Sequence, residues 1–236
     1  MNPNYLGLPF HTLHGEIDYL FDQLKNYIGD AEKALQAFKL EEDKRLKAQI
    51  SNDSLLELFI DQYQDFSERL IPRNFRYSSL VFVYSSLEAY MNALCNYLYN
   101  SWALPICLAD LNGRSSISKW RKFFDKIVKV PNLDYREVED FAKVRNCIVH
   151  NMGRPSHDQT HLLQLCNRGL GLSLNKSESK LHIPELIVSV EYCHFVIDVS
   201  RKLLLKIADG LEAIERSWME ANIYEESGND LDYDEV

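Results

Sequence analysis

Apolar positions recur every three or four residues along most of this chain, the period of an amphipathic helix. The rhythm starts at Thr12, with Leu13, Ile17, Leu20, Leu24, Tyr27, Ala31, Leu35 and Phe38 on one stripe. Residues 1–11, with Pro3, Gly7 and Pro9, read as an irregular lead-in, and the mostly charged stretch 39–49 reads as a solvated continuation of the helix. A second helical run over 54–70 is expected to stop at Pro72, since proline cannot donate to the helical ladder. The pattern leaves open whether these are two helices or one long broken pair. The run 77–101 is the most hydrophobic, with Leu80, Tyr84, Leu87, Met91, Leu94 and Leu98 in step. A connector over 102–118, with Pro105 and Gly113, leads to a short helix over 119–128 that ends near Pro131.

The stretch from Asp134 to Pro155 carries both a start and a stop signal. Asp134 reads as the N-cap, with Glu137 three residues on as in a capping box. Gly153 followed by Pro155 reads as the stop. Val138, Phe141, Ile148 and Met152 mark an expected buried stripe, and the slot between them at position 145 holds an arginine. A guanidinium on a core-facing stripe is costly unless it is paired or faces a cavity or interface. Glu88, beside the apolar stripe of 77–101, is the matching anomaly, so a Glu88–Arg145 pair is expected. Exchange of the two charges would test it.

Beyond this stretch, 157–167 reads as a short helix. The period then changes to two: Leu170, Leu172 and Leu174 alternate, as do Leu181 and Ile183, across the polar N-K-S-E-S-K turn. That predicts a small β-hairpin over 169–184 that must pack on helices to persist. A last helix over 184–221 carries Val190, Cys193, Ile197, Leu204, Ile207, Leu211, Ile214 and Trp218 on one stripe. The expected fold is all-α: an antiparallel helical bundle of four to five long helices with one hairpin before the last. The chain reads as a single domain over 1–224 with an acidic, disordered tail over 225–236.

Bulk composition changes this picture little. The net charge is −9, but six acids and no Lys or Arg lie in 225–236, so 1–224 is nearly balanced. Bulk charge therefore argues neither for nor against nucleic acid. Five cysteines (95, 107, 147, 166 and 193) include no C-x-x-C pair, and Cys95, Cys147 and Cys193 sit in apolar patterns where buried thiols are expected. A reducing cytoplasm fits that usage. No signal peptide is read at the N-terminus, and no uncharged stretch approaches ~20 residues, so no membrane span is expected.

The common catalytic signatures are absent: no phosphate-binding glycine loop, no H-E-x-x-H and no G-x-S-x-G. The histidines and cysteines do not cluster at metal spacing, so neither a metal nor a cofactor is expected. What remains is Arg145, Asn146 and His150. At ~100° per residue they fall at about 0°, 100° and 140° on the helix, and fit on one side of it. Arg154 and His161 give a looser repeat of the spacing, but Pro155 interrupts any helix that would hold them together.

The six residues R-N-C-I-V-H (Arg145–His150) resemble the R-polar-x-x-x-H motif of the HEPN superfamily of helical-bundle proteins. The Y-S-S-L-E-A-Y-M-N-A-L segment at 84–94 is similar to an early core helix of that superfamily, and the hairpin and final helix resemble versions found in bacterial defence and toxin–antitoxin systems. The resemblance extends over about 12–220. It implies a metal-independent endoribonuclease, usually a homodimer with two motif helices facing each other. One form of the motif has a tyrosine two residues after the histidine, which a partner nucleotidyltransferase antitoxin modifies. Here that position is Met152, which puts this form of control in doubt.

The residue chemistry agrees with that class. RNA carries its own nucleophile, the 2′-OH beside each phosphate. Cleavage then needs a base that titrates near neutrality, the role of His150, and positive charge on the developing phosphorane, which Arg145 supplies. Asn146 would orient the imidazole or the phosphate. A basic patch at 114–129 offers Lys119, Arg121, Lys122 and Lys126 to an RNA backbone. The plainer readings stand beside these: a structural arginine paired with Glu88, a helix-capping His150, and a solvated basic face. Two other functions remain open, a non-catalytic HEPN-like module that dimerises or binds a defence-system partner, and a helical regulator unrelated to RNA.

Overall fold

The computed structural model describes residues 10–49, 63, 65–156, 160–175 and 184–228. It is an all-α helical bundle with one two-stranded hairpin before the last helix. Its helices are α1 (Phe10–Gln49), α2 (Ile71–Ser101), α3 (Ser116–Lys122), α4 (Arg136–Asn151), α5 (Thr160–Cys166) and α6 (Val190–Gly228); strands β1 (Leu172–Asn175) and β2 (Glu185–Val188) lie between α5 and α6. Two compact units share the three long helices. One comprises the described residues of Met1–Tyr19, Ala89–Tyr135 and Arg201–Val236; the other comprises those of Leu20–Glu88 and Arg136–Ser200.

Within the first unit, Ser115 caps α3, accepting from the Ser118 backbone N–H at 3.2 Å while Ser118 returns a hydroxyl to the Ser115 backbone. Trp120, Phe123 and Phe124 are fully buried. The Trp120 indole N–H is satisfied by Asn92 Oδ1 at 3.0 Å. The helix opens into a π-helical turn at Phe123–Val128, and Lys129 closes it in the left-handed region at φ 67°. Val130 then packs against Gly210 of α6, where a Cβ would stand 2.3 Å from its Cγ1.

The second unit holds α4. Its buried arc is Val138, Phe141, Val144, Cys147 and Ile148. Arg145 is half-buried at the margin of that arc rather than on its centre, because Val144 and Ile148 take the core-facing positions. Met152 departs from the expected stripe: it is 71% exposed. The helix has ended at Asn151, and Met152 takes φ 52°, which swings its side chain off the helical path. Gly153 follows at φ 76°, and its N–H closes the end on the Cys147 carbonyl at 3.1 Å. The start is also displaced by one position, since α4 opens at Arg136 and not directly after Asp134.

Three other expectations are corrected. Pro72 does not stop a helix. It occupies the second position of α2, where its missing N–H is tolerated, and the π-helical turn Asp65–Leu70 ahead of it takes up the disrupted ladder. The second hairpin strand is Glu185–Val188, where the pattern predicts the start of the last helix; 176–183, including Leu181 and Ile183, lies outside the described residues. The β-branched Ile187 and Val188 suit the strand, with Leu172 opposite Val188 and Asn175 opposite Glu185. Ser189 then caps α6, its Oγ accepting from the Tyr192 N–H at 3.3 Å. At the far end α6 runs to Gly228, past the expected end at Ala221, and only 229–236 of the expected tail lies outside the described residues.

Gly153 is the tightest backbone position near the motif. A Cβ there would sit 2.0 Å from the Tyr77 hydroxyl and 2.5 Å from its ring, in a backbone conformation that L side chains rarely adopt. Gly153→Ala is therefore expected to cost at least ~2 kcal/mol, from left-handed strain plus displacement of Tyr77. Thermal unfolding checks it: a fall of at least ~4 °C is expected for a chain of this size. An unchanged midpoint would remove Gly153 as the constraint on the helix end.

Candidate functional site

Arg145 is held by a ring and an amide. Its guanidinium lies over the Tyr84 ring, 5.2 Å from the centroid, and its Nη1 donates to Asn146 Oδ1 at 3.0 Å. Tyr84 is 6% exposed and is fixed in turn by Phe141, edge to face at 5.4 Å. Phe141 and Arg145 lie one turn apart on α4, so α4 grips the same tyrosine ring twice, once by packing and once by charge. The stack holds a rotamer-rich side chain in one place. The Nε of Arg145 is buried without an acceptor, so that one donor remains unspent.

Glu88 enters through the same ring. Burial pushes the Tyr84 hydroxyl up to about 12; the charge of Glu88 adds to that rise and the charge of Arg145 opposes it. The two charges that the sequence marks as misplaced thus meet electrostatically at Tyr84. Tyr84 remains a neutral phenol throughout the physiological range.

Asn146 and His150 are solvent-exposed, four residues apart on the same flank of α4. His150 occupies the last turn of the helix. Val149, 43% exposed, lies angularly between Arg145 and that flank. Val149 thus puts apolar surface within the polar cluster, and the exposed Met152 follows just beyond the helix end. The sequence candidates on α4 therefore come together: a preset guanidinium, an amide hydrogen-bonded to it, and an exposed imidazole one turn further on.

The basic residues 114–129 belong to the other unit. There Arg121 lies over the Tyr135 ring at 5.0 Å, and Lys122 Nζ donates to the Asn112 carbonyl at 2.5 Å. Lys126 is exposed and Lys119 is half-buried. Arg121 and Lys122 thus have structural contacts as well as charge.

Two clusters had no signal in the pattern. Asp140 on α4 accepts from His161 Nε2 at 2.7 Å, Arg168 Nη1 at 3.1 Å and Lys143 Nζ at 3.3 Å, tying α5 and the turn after it to the motif helix. The second cluster centres on Glu185, which is 6% exposed. Its Oε1 accepts from Arg154 Nε at 3.0 Å and Nη2 at 2.8 Å, and its Oε2 accepts from Arg73 Nη1. Arg154 and His161, which repeat the motif spacing, thus go to different carboxylates. The signals were present as residue types, but nothing in the local pattern joins Arg73 to a strand 112 residues later.

Among the described residues no group of three or more His, Cys, Asp or Glu converges as a metal ion would need, and no helix is long and apolar enough to cross a membrane. Cys95, Cys147 and Cys193 are buried free thiols. No family model, curated protein or solved structure matches this chain. A functional reading therefore rests on the residues themselves.

Glu185 contributes to the acid sensitivity of this unit. Burial would raise its carboxyl, but hydrogen bonds from Arg154 and Arg73 and their charges outweigh it and hold the group below the usual glutamate value of 4.5. A depressed pKa adds stability that is present above the unfolded-state value and is lost as pH falls through the folded-state value. Stability should therefore drop below about pH 4.5, and Glu185→Gln should flatten that drop. The variant should also lose about 3 kcal/mol near neutrality, the scale for breaking a buried pair. Urea titrations across pH 3–7 measure both effects; an equally steep acid limb in the variant would exclude Glu185 as its source.

Proposed function

We propose that this chain is a metal-independent endoribonuclease of the HEPN kind, acting in a prokaryotic defence or toxin system. The observation that carries this reading is the α4 cluster: an exposed imidazole and amide beside a guanidinium held over the Tyr84 ring, its Nε without an acceptor. The resemblance of R-N-C-I-V-H to the superfamily motif supports it. In this reading Arg145 binds the scissile phosphate and stabilises the charge that develops on it. His150 takes the proton from the 2′-OH as that oxygen attacks the adjacent phosphorus. The P–O5′ bond breaks, and the leaving oxygen takes a proton from an imidazolium. The products are a 2′,3′-cyclic phosphate and a 5′-hydroxyl.

One chain supplies one such histidine, so the cycle is completed most simply by a second copy. Val149 and Met152, exposed beside the motif, favour an apolar contact at that place. The same observation favours a second reading, a non-catalytic HEPN-like module that uses this face to dimerise or to hold a defence-system partner. Met152 has no hydroxyl for an antitoxin to modify, so control of the known tyrosine-directed kind would need a different acceptor.

Purified protein incubated with total RNA in excess EDTA tests the chemistry. Cleavage with cyclic-phosphate ends is expected. His150→Ala should lower it by about 100-fold or more, the scale of lost acid–base catalysis, and Arg145→Ala by a similar factor. Intact RNA with the wild type under all conditions tried, alongside a dimer in sedimentation, would favour the non-catalytic module. Tyr84 separates positioning from fold. Tyr84→Phe keeps the ring and should keep activity, whereas Tyr84→Leu should lose about tenfold or more in cleavage with a smaller change in RNA binding. Equal activity in both variants would detach the ring from Arg145 function.

A further inference from the structure

A cleft of about 210 Å³ lies where the first turns of α2 meet the hairpin, lined chiefly by Arg69, Arg73, Arg76, Asn175, Glu185 and Ile187. It is built from one unit only. Arg69, Arg73 and Arg76 follow the four- and three-residue steps that put side chains on one helix face. Arg76 is matched by Glu32, with contacts of 2.7 and 2.9 Å, and its Nη1 also donates to the Val188 carbonyl at 3.2 Å. Glu68 is matched by Lys39 at 2.5 Å.

The balance fails at Glu185. Its single carboxylate serves both Arg73 and Arg154, and Arg69 Nη1 stands 4.0 Å from its Oε2. Arg73 and Arg154 alone exceed it by one positive charge. The donors of Arg73 are also incompletely used: Nη1 goes to Glu185, Nη2 makes a long 3.5 Å contact with Asn74, and Nε is buried without an acceptor. Buried guanidinium donors ordinarily find partners. Excess positive charge, an unspent N–H and a guanidinium fork in one cleft are what recognise a tetrahedral oxyanion.

We propose that this cleft binds a small phosphorylated ligand, its phosphate taken by Arg73 and Arg69 and its body resting against Pro72 and Ile187. The volume is below the 300–1,000 Å³ or so of sites for drug-sized ligands, which favours a phosphomonoester of a few heavy atoms over a polymer strand. The cleft is wired to the end of α4. Arg154, on Glu185, follows directly after Gly153; the Leu186 N–H donates to the Gly153 carbonyl at 2.8 Å; and the Tyr77 hydroxyl donates to the Leu186 carbonyl at 2.6 Å. A phosphate that competes with Glu185 for its arginines alters the contact that fixes the chain just after His150. The cleft is thus an effector site, and its binding does not depend on the ribonuclease reading; only the effect on cleavage does.

Calorimetric titration of the full chain with inorganic phosphate and with ribose 5-phosphate tests it. Saturable one-site binding is expected. Arg69→Gln should weaken it by about tenfold, the scale of one charged hydrogen bond, and Arg73→Gln by more. Glu185→Gln should tighten it, because a competing carboxylate is removed; a merely structural Glu185 gives no such sign. Arg69→Gln keeps the test alive if Arg73→Gln fails to fold. Absence of binding at 10 mM ligand, or equal affinity in wild type and Arg69→Gln, would overturn the proposal. So would displacement of phosphate by a 5′-hydroxyl RNA oligonucleotide as readily as by its 5′-phosphorylated form, since the cleft would then read a polymer backbone. If phosphate binds and RNA stays intact, the site stands and the nuclease reading falls.

Discussion

The carboxylate of Glu185 governs how the motif helix is presented. It is the first residue of β2, it is buried, and it takes hydrogen bonds from α2 through Arg73 and from the chain just beyond α4 through Arg154. A buried carboxylate with two guanidiniums costs several kcal/mol in desolvation, which only good geometry and complete hydrogen bonding offset. Leu186, the next residue, donates to the Gly153 carbonyl and accepts from Tyr77. A two-stranded hairpin alone is marginal in water. Here it persists because its second strand is bolted at both polar groups of Leu186 and at the side chain before it, and α4 gains a fixed end from the same bolts.

Arg145 is constrained near the middle of α4. Placed on the margin of a buried arc, it would ordinarily be a liability. The Tyr84 ring face turns that position into a socket: the aromatic surface takes the guanidinium plane, and Phe141 keeps the ring from tilting away. The charges of Glu88 and Arg145 act in opposite senses on the Tyr84 hydroxyl. A ring contact and a single amide engage a guanidinium less completely than a bidentate carboxylate pair does.

Much of this was legible in the sequence wherever the cause was local. The three- and four-residue rhythm of Leu80, Tyr84, Leu87, Met91, Leu94 and Leu98 needs no partner to be recognised, and these six are buried in α2. The stop at Gly153 follows from glycine's access to positive φ. The failures share a different cause. Pro72 reads as a break because the rule assumes an ordinary α-helical ladder ahead of it, and the π-helical turn before it supplies another. E-L-I-V at 185–188 continues without interruption into the apolar stripe of α6, and only pairing with β1 makes it a strand. Met152 fits the stripe by spacing and leaves it because the helix ends one residue earlier. The Glu185 cluster was illegible for the same reason, since its arginines lie 112 and 31 residues from it.

An arginine and a histidine five residues apart on a helix are therefore not a site by virtue of spacing. On an uninterrupted exposed helix, both would be long, mobile side chains with no common orientation. What separates this pair from that case is that each is limited by something the spacing does not contain. The Tyr84 ring restricts where the guanidinium lies. The left-handed residues Met152 and Gly153 end the helix immediately after the turn that bears His150, so that its imidazole stands at an exposed terminus with the apolar side chains of Val149 and Met152 beside it. A guanidinium seated on a ring and an imidazole exposed to solvent are opposite mechanical demands. The α4 segment meets both within two turns because its early half is anchored on Phe141 and its late half is released to solvent.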